Sequence, residues 1–172
     1  MDKFHIEATR LHWLNDDGAD DPTDLCLHGH VIARFGSAVL EDDCTVSTTA
    51  LRLLKTLEED HPYRGDDEQM LPCCGHFLVP SDDLQTVTYI GGCFNGTDWA
   101  LLHDEGYIRI VLADGREFSI DPDEYRAEVF RFADAIKAYY DSCLPKILPN
   151  DEFSRNGYIA FWNEWQRRRH PQ

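Results

Sequence analysis

The chain has 172 residues, 42% of them hydrophobic and 12% aromatic, and its 32 Asp and Glu face 16 Lys and Arg for a net charge of −16. A field of that sign repels nucleic-acid phosphates and anionic lipid heads, which argues against direct nucleic-acid or membrane binding, and it speeds encounter with basic proteins. The apolar content excludes a disordered acidic tail.

A chain of this length fits one domain, residues 1–172, able to bury about 70% of the surface its unfolded form exposes. The opening Met1-Asp2-Lys3-Phe4-His5 lacks the apolar run of a signal peptide, and nowhere do eighteen apolar residues follow one another. A cytoplasmic protein is the expectation. Cys26, Cys44, Cys73, Cys74, Cys93 and Cys143 are scattered without framework spacing, so reduced thiols are expected. The charge is uneven: residues 1–86 hold 18 acidic against 6 basic side chains, and residues 87–172 hold 14 against 10.

In chain order, residues 4–14 read as a strand ending at Asn15-Asp16-Asp17-Gly18. Asp16, Asp17, Asp20, Asp21 and Asp24, interrupted by Gly18 and Pro22, cannot bury a face and form a solvated connection. Residues 25–35 and 38–40 read as a hairpin turning at Gly36-Ser37, with Glu41-Asp42-Asp43 closing its second strand. Ser47 or Thr48 can cap a helix whose apolar face is Ala50, Leu51, Leu54 and Leu57 and whose Arg52, Lys55, Glu58 and Glu59 face water. Residues 61–75, rich in Pro, Gly and Asp, form the longest predicted loop and include the second acidic cluster, Asp66-Asp67-Glu68.

From His76 the period becomes two, with strands over 76–79, 86–90, 99–103, 107–112 and 117–120. Gly106 and Gly115 supply the left-handed positions that tight hairpins need, so 99–120 is an antiparallel meander. Asp121 caps a helix with Pro122 at its first position, and Tyr125, Val129, Phe132, Ala133, Ile136 and Tyr140 form its apolar stripe. After Pro145 and Pro149 comes a final helix, roughly 156–169, ending in Arg167-Arg168-Arg169. This order predicts an α+β domain: mostly antiparallel sheet, one inserted helix, and two C-terminal helices packed on one face.

Chemistry-bearing residues are harder to single out. Cys74, His76 and Cys93 are the candidate metal ligands, but Cys73 and Cys74 point apart if extended, and two clean ligand pairs are missing. No cofactor is implied. Among so many carboxylates, pairs such as Asp98 with His103 carry no signal of their own. Gly91-Gly92-Cys93-Phe94-Asn95-Gly96 lacks the Lys and hydroxyl of a phosphate loop and reads as a tight turn or bulge. That leaves Asp16, Asp17, Asp20, Asp21, Asp24, Asp66, Asp67 and Glu68 as the candidate contacts to a basic partner.

The stretch from Leu148 to Arg169, with Tyr158-Ile159-Ala160-Phe161-Trp162-Asn163-Glu164-Trp165 at its centre, and Gly92-Cys93-Phe94-Asn95-Gly96-Thr97-Asp98-Trp99 resemble a group of small acidic bacterial proteins. In size and charge these are similar to immunity proteins that neutralise secreted polymorphic toxins. The resemblance implies an inhibitor and brings no catalytic residue with it. The expectation is therefore an acidic protein that covers the basic surface of a nuclease toxin or other cationic protein. A nucleic-acid mimic that occupies a DNA-binding enzyme, and a metal-dependent enzyme using the Cys/His residues, are the alternatives.

Overall fold

The computed structural model describes residues 1–15, 19–63, 68–74 and 77–170. Alternation of buried and exposed residues builds the first sheet, β1 (Phe4–His12), β2 (His28–Phe35) and β3 (Ala38–Thr45), paired antiparallel in that order. Phe4 lies opposite Phe35 and Ile6 opposite Ala33, so both strands send the same face into the core. Gly36, at φ +55, makes the turn between β2 and β3.

The acidic residues do not close β3: it runs on through Asp42 and Asp43 to Thr45. Their backbone stays in the ladder while exposed Glu41 and Asp43 project outward, so charge at alternate positions costs the strand little.

The inserted helix α1 (Val46–Lys55) is buried from Val46 to Leu54. Thr45 precedes it without a side-chain cap, and Ser47 Oγ instead accepts the Leu27 N–H at 3.2 Å. Its expected wet face is partly inside: Arg52 and Lys55 are covered, whereas Glu58 and Glu59 beyond the helix are exposed. The reason lies in what packs over them. Arg52 donates to the Ile90 carbonyl at 3.1 Å, and Lys55 to the Val87 carbonyl at 2.9 Å.

Beyond α1, β4 (Leu71–Pro72) pairs with β7 (Gly96–Thr97), and β5 (Phe77–Pro80) with β6 (Val87–Gly91). The meander is β8 (Trp99–Asp104), β9 (Tyr107–Leu112) and β10 (Glu117–Ile120), with φ +84 at both Gly106 and Gly115. The sequence-predicted long loop is thus shortened by β4 and by a bridge between His61 and Leu101.

Asp121 accepts the Asp123 and Glu124 N–H groups at 2.9 and 3.0 Å and starts α2 (Pro122–Ser142), whose buried residues are the six of the apolar stripe. α3 (Glu152–Arg169) begins one turn earlier than the periodicity indicates, because the Asp151 side chain accepts the Ser154 N–H at 2.8 Å. α2 lies against β1 and α1, and α3 against the β5–β6 hairpin and α1. The fold is α+β with antiparallel sheets, and among the described residues no helix is long and apolar enough to cross a membrane.

Glu164 of α3 joins these parts. Fully buried, it accepts from Lys55 Nζ and Arg168 Nε, both at 2.8 Å, and from the Val87 N–H at 2.7 Å. Arg168 reaches on to Glu58 at 2.9 Å and to Glu59, so the terminal arginines serve carboxylates of the same chain.

Candidate functional site

The described part of the first acidic loop is engaged with its own neighbours. Asp24 accepts the Leu14 N–H at 2.7 Å and the Cys26 N–H at 3.0 Å. Asp21 accepts the Thr23 hydroxyl at 2.7 Å and the Thr23 N–H at 2.8 Å, which hold its carboxyl below the usual range. Asp20 accepts the Leu144 N–H and faces Lys146 at 3.7 Å. Glu68 is placed elsewhere, lining a polar groove with Arg52, Lys55, Asp60 and His61. Asp16, Asp17, Asp66, Asp67 and His76 lie outside the described residues.

The loop is fastened to a segment that sequence reasoning passed over. Ile147 N–H donates to the Pro22 carbonyl at 2.8 Å, and Lys146 donates to the Asp21 carbonyl at 2.6 Å while its ammonium sits 3.2 Å from the centre of the Trp13 ring. That anchoring turns the neighbouring apolar side chains outward: Leu144, Ile147 and Leu148 are 54%, 59% and 44% exposed, and Leu14 is 64% exposed. Two prolines and no helical or strand period made this stretch look like a plain connection. The signal available was three large apolar residues in a segment with no structure to bury them.

Positive charge is largely neutralised within the chain. Arg10 pairs with Asp43, Arg34 with Glu7, Arg109 with Asp104, Arg116 with Asp114, Arg131 with Glu128, Lys137 with Asp141 and Arg169 with Asp134. Exposed carboxylates include Asp82, Asp83, Glu105, Glu117, Asp123, Glu124 and Glu152, spread over turns, the start of β10 and helix starts.

Histidine–carboxylate contacts form, and Asp98 and His103 each take another partner. His61 Nε2 lies 2.9 Å from Asp98, which also accepts the Met70 N–H at 3.0 Å, while His103 Nδ1 lies 2.8 Å from Asp60. The bridge from His61 to Leu101 brings the imidazole beside β8 and takes Asp98 from His103.

Apart from half-buried Cys143, the cysteines divide into two kinds. Burial pushes the Cys26 and Cys44 thiols up to about 12. Cys73, Cys74 and Cys93 instead converge near the surface, each pair of sulfurs within 4.8 Å. Cys73 and Cys93 sulfurs are 2.7 Å apart, and the Cys93 N–H donates to Cys74 Sγ at 3.0 Å. Donation from the Cys73 and Cys74 thiols draws Cys93 down to about 7, while Cys73, the donor, is pushed up to about 12. The objection that adjacent cysteines diverge applies to an extended strand. β4 ends at Pro72 and the chain bends at Cys73, so both thiols reach Cys93.

No protein-family model matches the chain, and no curated protein or solved structure is significantly similar to it.

Proposed function

We propose that this chain is a binding protein that docks on, and blocks, a basic protein, in its most specific form a bacterial cytoplasmic immunity protein for a nuclease toxin. The observation that supports it is the exposed apolar strip Leu144, Ile147 and Leu148, tied to the Asp20–Asp24 loop on a molecule whose cations are largely paired internally. Unpaired carboxylates attract a cationic surface from a distance, and the apolar strip supplies area that can be dried on contact. A toxin so covered cannot reach its polyanionic substrate.

The spread of carboxylates over β3, the turns and the starts of α2 and α3 favours this reading over mimicry of a nucleic acid, which calls for charges along one ridge. To test the proposal, the products of the genes flanking this one are expressed and assayed for complex formation and loss of nuclease activity. A basic product should bind, and Leu144→Ser with Ile147→Ser should weaken it about tenfold or more while the fold persists. Failure of every flanking product to bind, or indifference of the complex to both substitutions, refutes the reading.

A further inference from the structure

The convergence of Cys73, Cys74 and Cys93 is independent of the docking surface and is not used by it. Two glycine-permitted approaches build it. A Cβ on Gly92 would stand 2.0 Å from the Cys74 carbonyl oxygen, and one on Gly96, at φ +154, would stand 2.6 Å from the Leu71 carbonyl oxygen. Only glycine lets the chain around Cys93 press so closely on the chain around Cys73 and Cys74. The Cys73 N–H, donating to the Asn95 carbonyl at 3.1 Å, fixes the two segments in register.

We propose that Cys73, Cys74 and Cys93 form a three-thiolate site for a single thiophilic cation, Zn²⁺ being the physiological candidate. Tetrahedral zinc with Zn–S bonds of about 2.3 Å places its sulfurs about 3.8 Å apart. All three sulfurs lie within 4.8 Å of one another, and Cys73 and Cys93, 2.7 Å apart, must separate by about 1.1 Å to reach that spacing. A disulfide between Cys73 and Cys93 is the competing use of two of these sulfurs. It leaves Cys74 without a role, although Cys74 is held by the Cys93 N–H and by the close passage of Gly92.

Binding releases the thiol protons to solvent, and three thiolates on one dication leave a single net negative charge. Exposure of Cys73 leaves the fourth position to water or an incoming donor, and the surrounding net charge of −16 favours entry of a cation. The site binds; no reaction is assigned to it.

The test uses the full chain, reduced and stripped with chelator, and titrates it with Zn²⁺ alone and then with Co²⁺ as a spectroscopic probe. About one equivalent should bind, with thiolate-to-cobalt charge transfer. Cys73→Ser, Cys74→Ser and Cys93→Ser should each weaken binding by more than about tenfold, whereas Cys143→Ser, in a thiol outside the trio, should not. Gly92→Ala, which keeps all three sulfurs but obstructs their approach, should also weaken it. Circular dichroism confirms that each variant folds. Less than about 0.1 equivalent bound with all thiols free overturns the proposal, as does a Cys74→Ser variant that binds like the parent. So does a parent chain that, offered one equivalent of Zn²⁺ under air, loses its Cys73 and Cys93 thiols to a disulfide, with dioxygen as the oxidant, in preference to taking up the ion.

Discussion

Glu164 shows how a single side chain can decide the stability of this molecule. Its carboxylate answers Lys55, Arg168 and the Val87 N–H at once, in a place without water to replace it. Glu164→Ala takes the buried counter-charge from Lys55, leaves the Val87 N–H without an acceptor and leaves Arg168 only the exposed Glu58 and Glu59, and chemical denaturation should report a loss of about 3 kcal/mol. A loss below about 1 kcal/mol would show that the network is not closed as described. Cys93 gives a second residue-scale expectation. In the metal-free, reduced chain its alkylation by iodoacetamide should rise with a midpoint near pH about 7, while Cys26 and Cys44, pushed up to about 12, stay unlabelled. Mass spectrometry of labelled peptides distinguishes the sites. Sequence could nominate Cys74 and Cys93 but passed over Cys73, because the bend that turns adjacent thiols the same way leaves no periodic trace.

At the scale of elements, local rules carried much further. Pro122, the Asp121 cap and the stripe from Tyr125 to Tyr140 define α2 almost completely, and the glycine turns define the meander. Asp121→Ala should lower stability by about 1 kcal/mol, read as an earlier urea midpoint with unchanged slope. α1 was legible as a helix but not as a central one, since burial of Arg52 and Lys55 depends on β6 and α3, which lie far along the chain. The junction of α2 with β1 was hidden for the same reason. There Glu128 accepts from the Ile6 N–H at 2.8 Å, from Arg131 at 2.7 Å and lies 2.7 Å from His5.

Burial alone would raise the Glu128 carboxyl, but hydrogen bonds from Arg131 and Ile6 and the charges of Arg131 and His5 outweigh it and leave the group lowered. A carboxyl lowered by folding contributes stability that is fully present above its unfolded pKa of about 4.3 and is lost as pH falls through the folded value. Glu128→Gln should therefore flatten the acid limb of the stability profile below pH about 4 and reduce stability at neutral pH. An acid limb identical to that of the parent would mean that Glu128 does not couple α2 to β1.

For the whole molecule, net charge, fold class and the acidic first half were open in the sequence, whereas the apolar strip was not, because exposure is decided by what the fold leaves uncovered. Lys146 illustrates this: folding turns its ammonium inward over Trp13 and toward Asp20, and pushes Leu144 and Ile147 out. The resulting surface is negative at long range and apolar on contact. Such a surface ought to recruit its partner quickly and in a salt-sensitive way, then hold it by dry contact that salt does not weaken. The direct measurement is the association rate with the basic partner by stopped flow as ionic strength rises. The account predicts a fall on the order of tenfold between about 0.05 M and about 0.5 M, with the dissociation rate nearly constant. An association rate that stays flat across that range would contradict it.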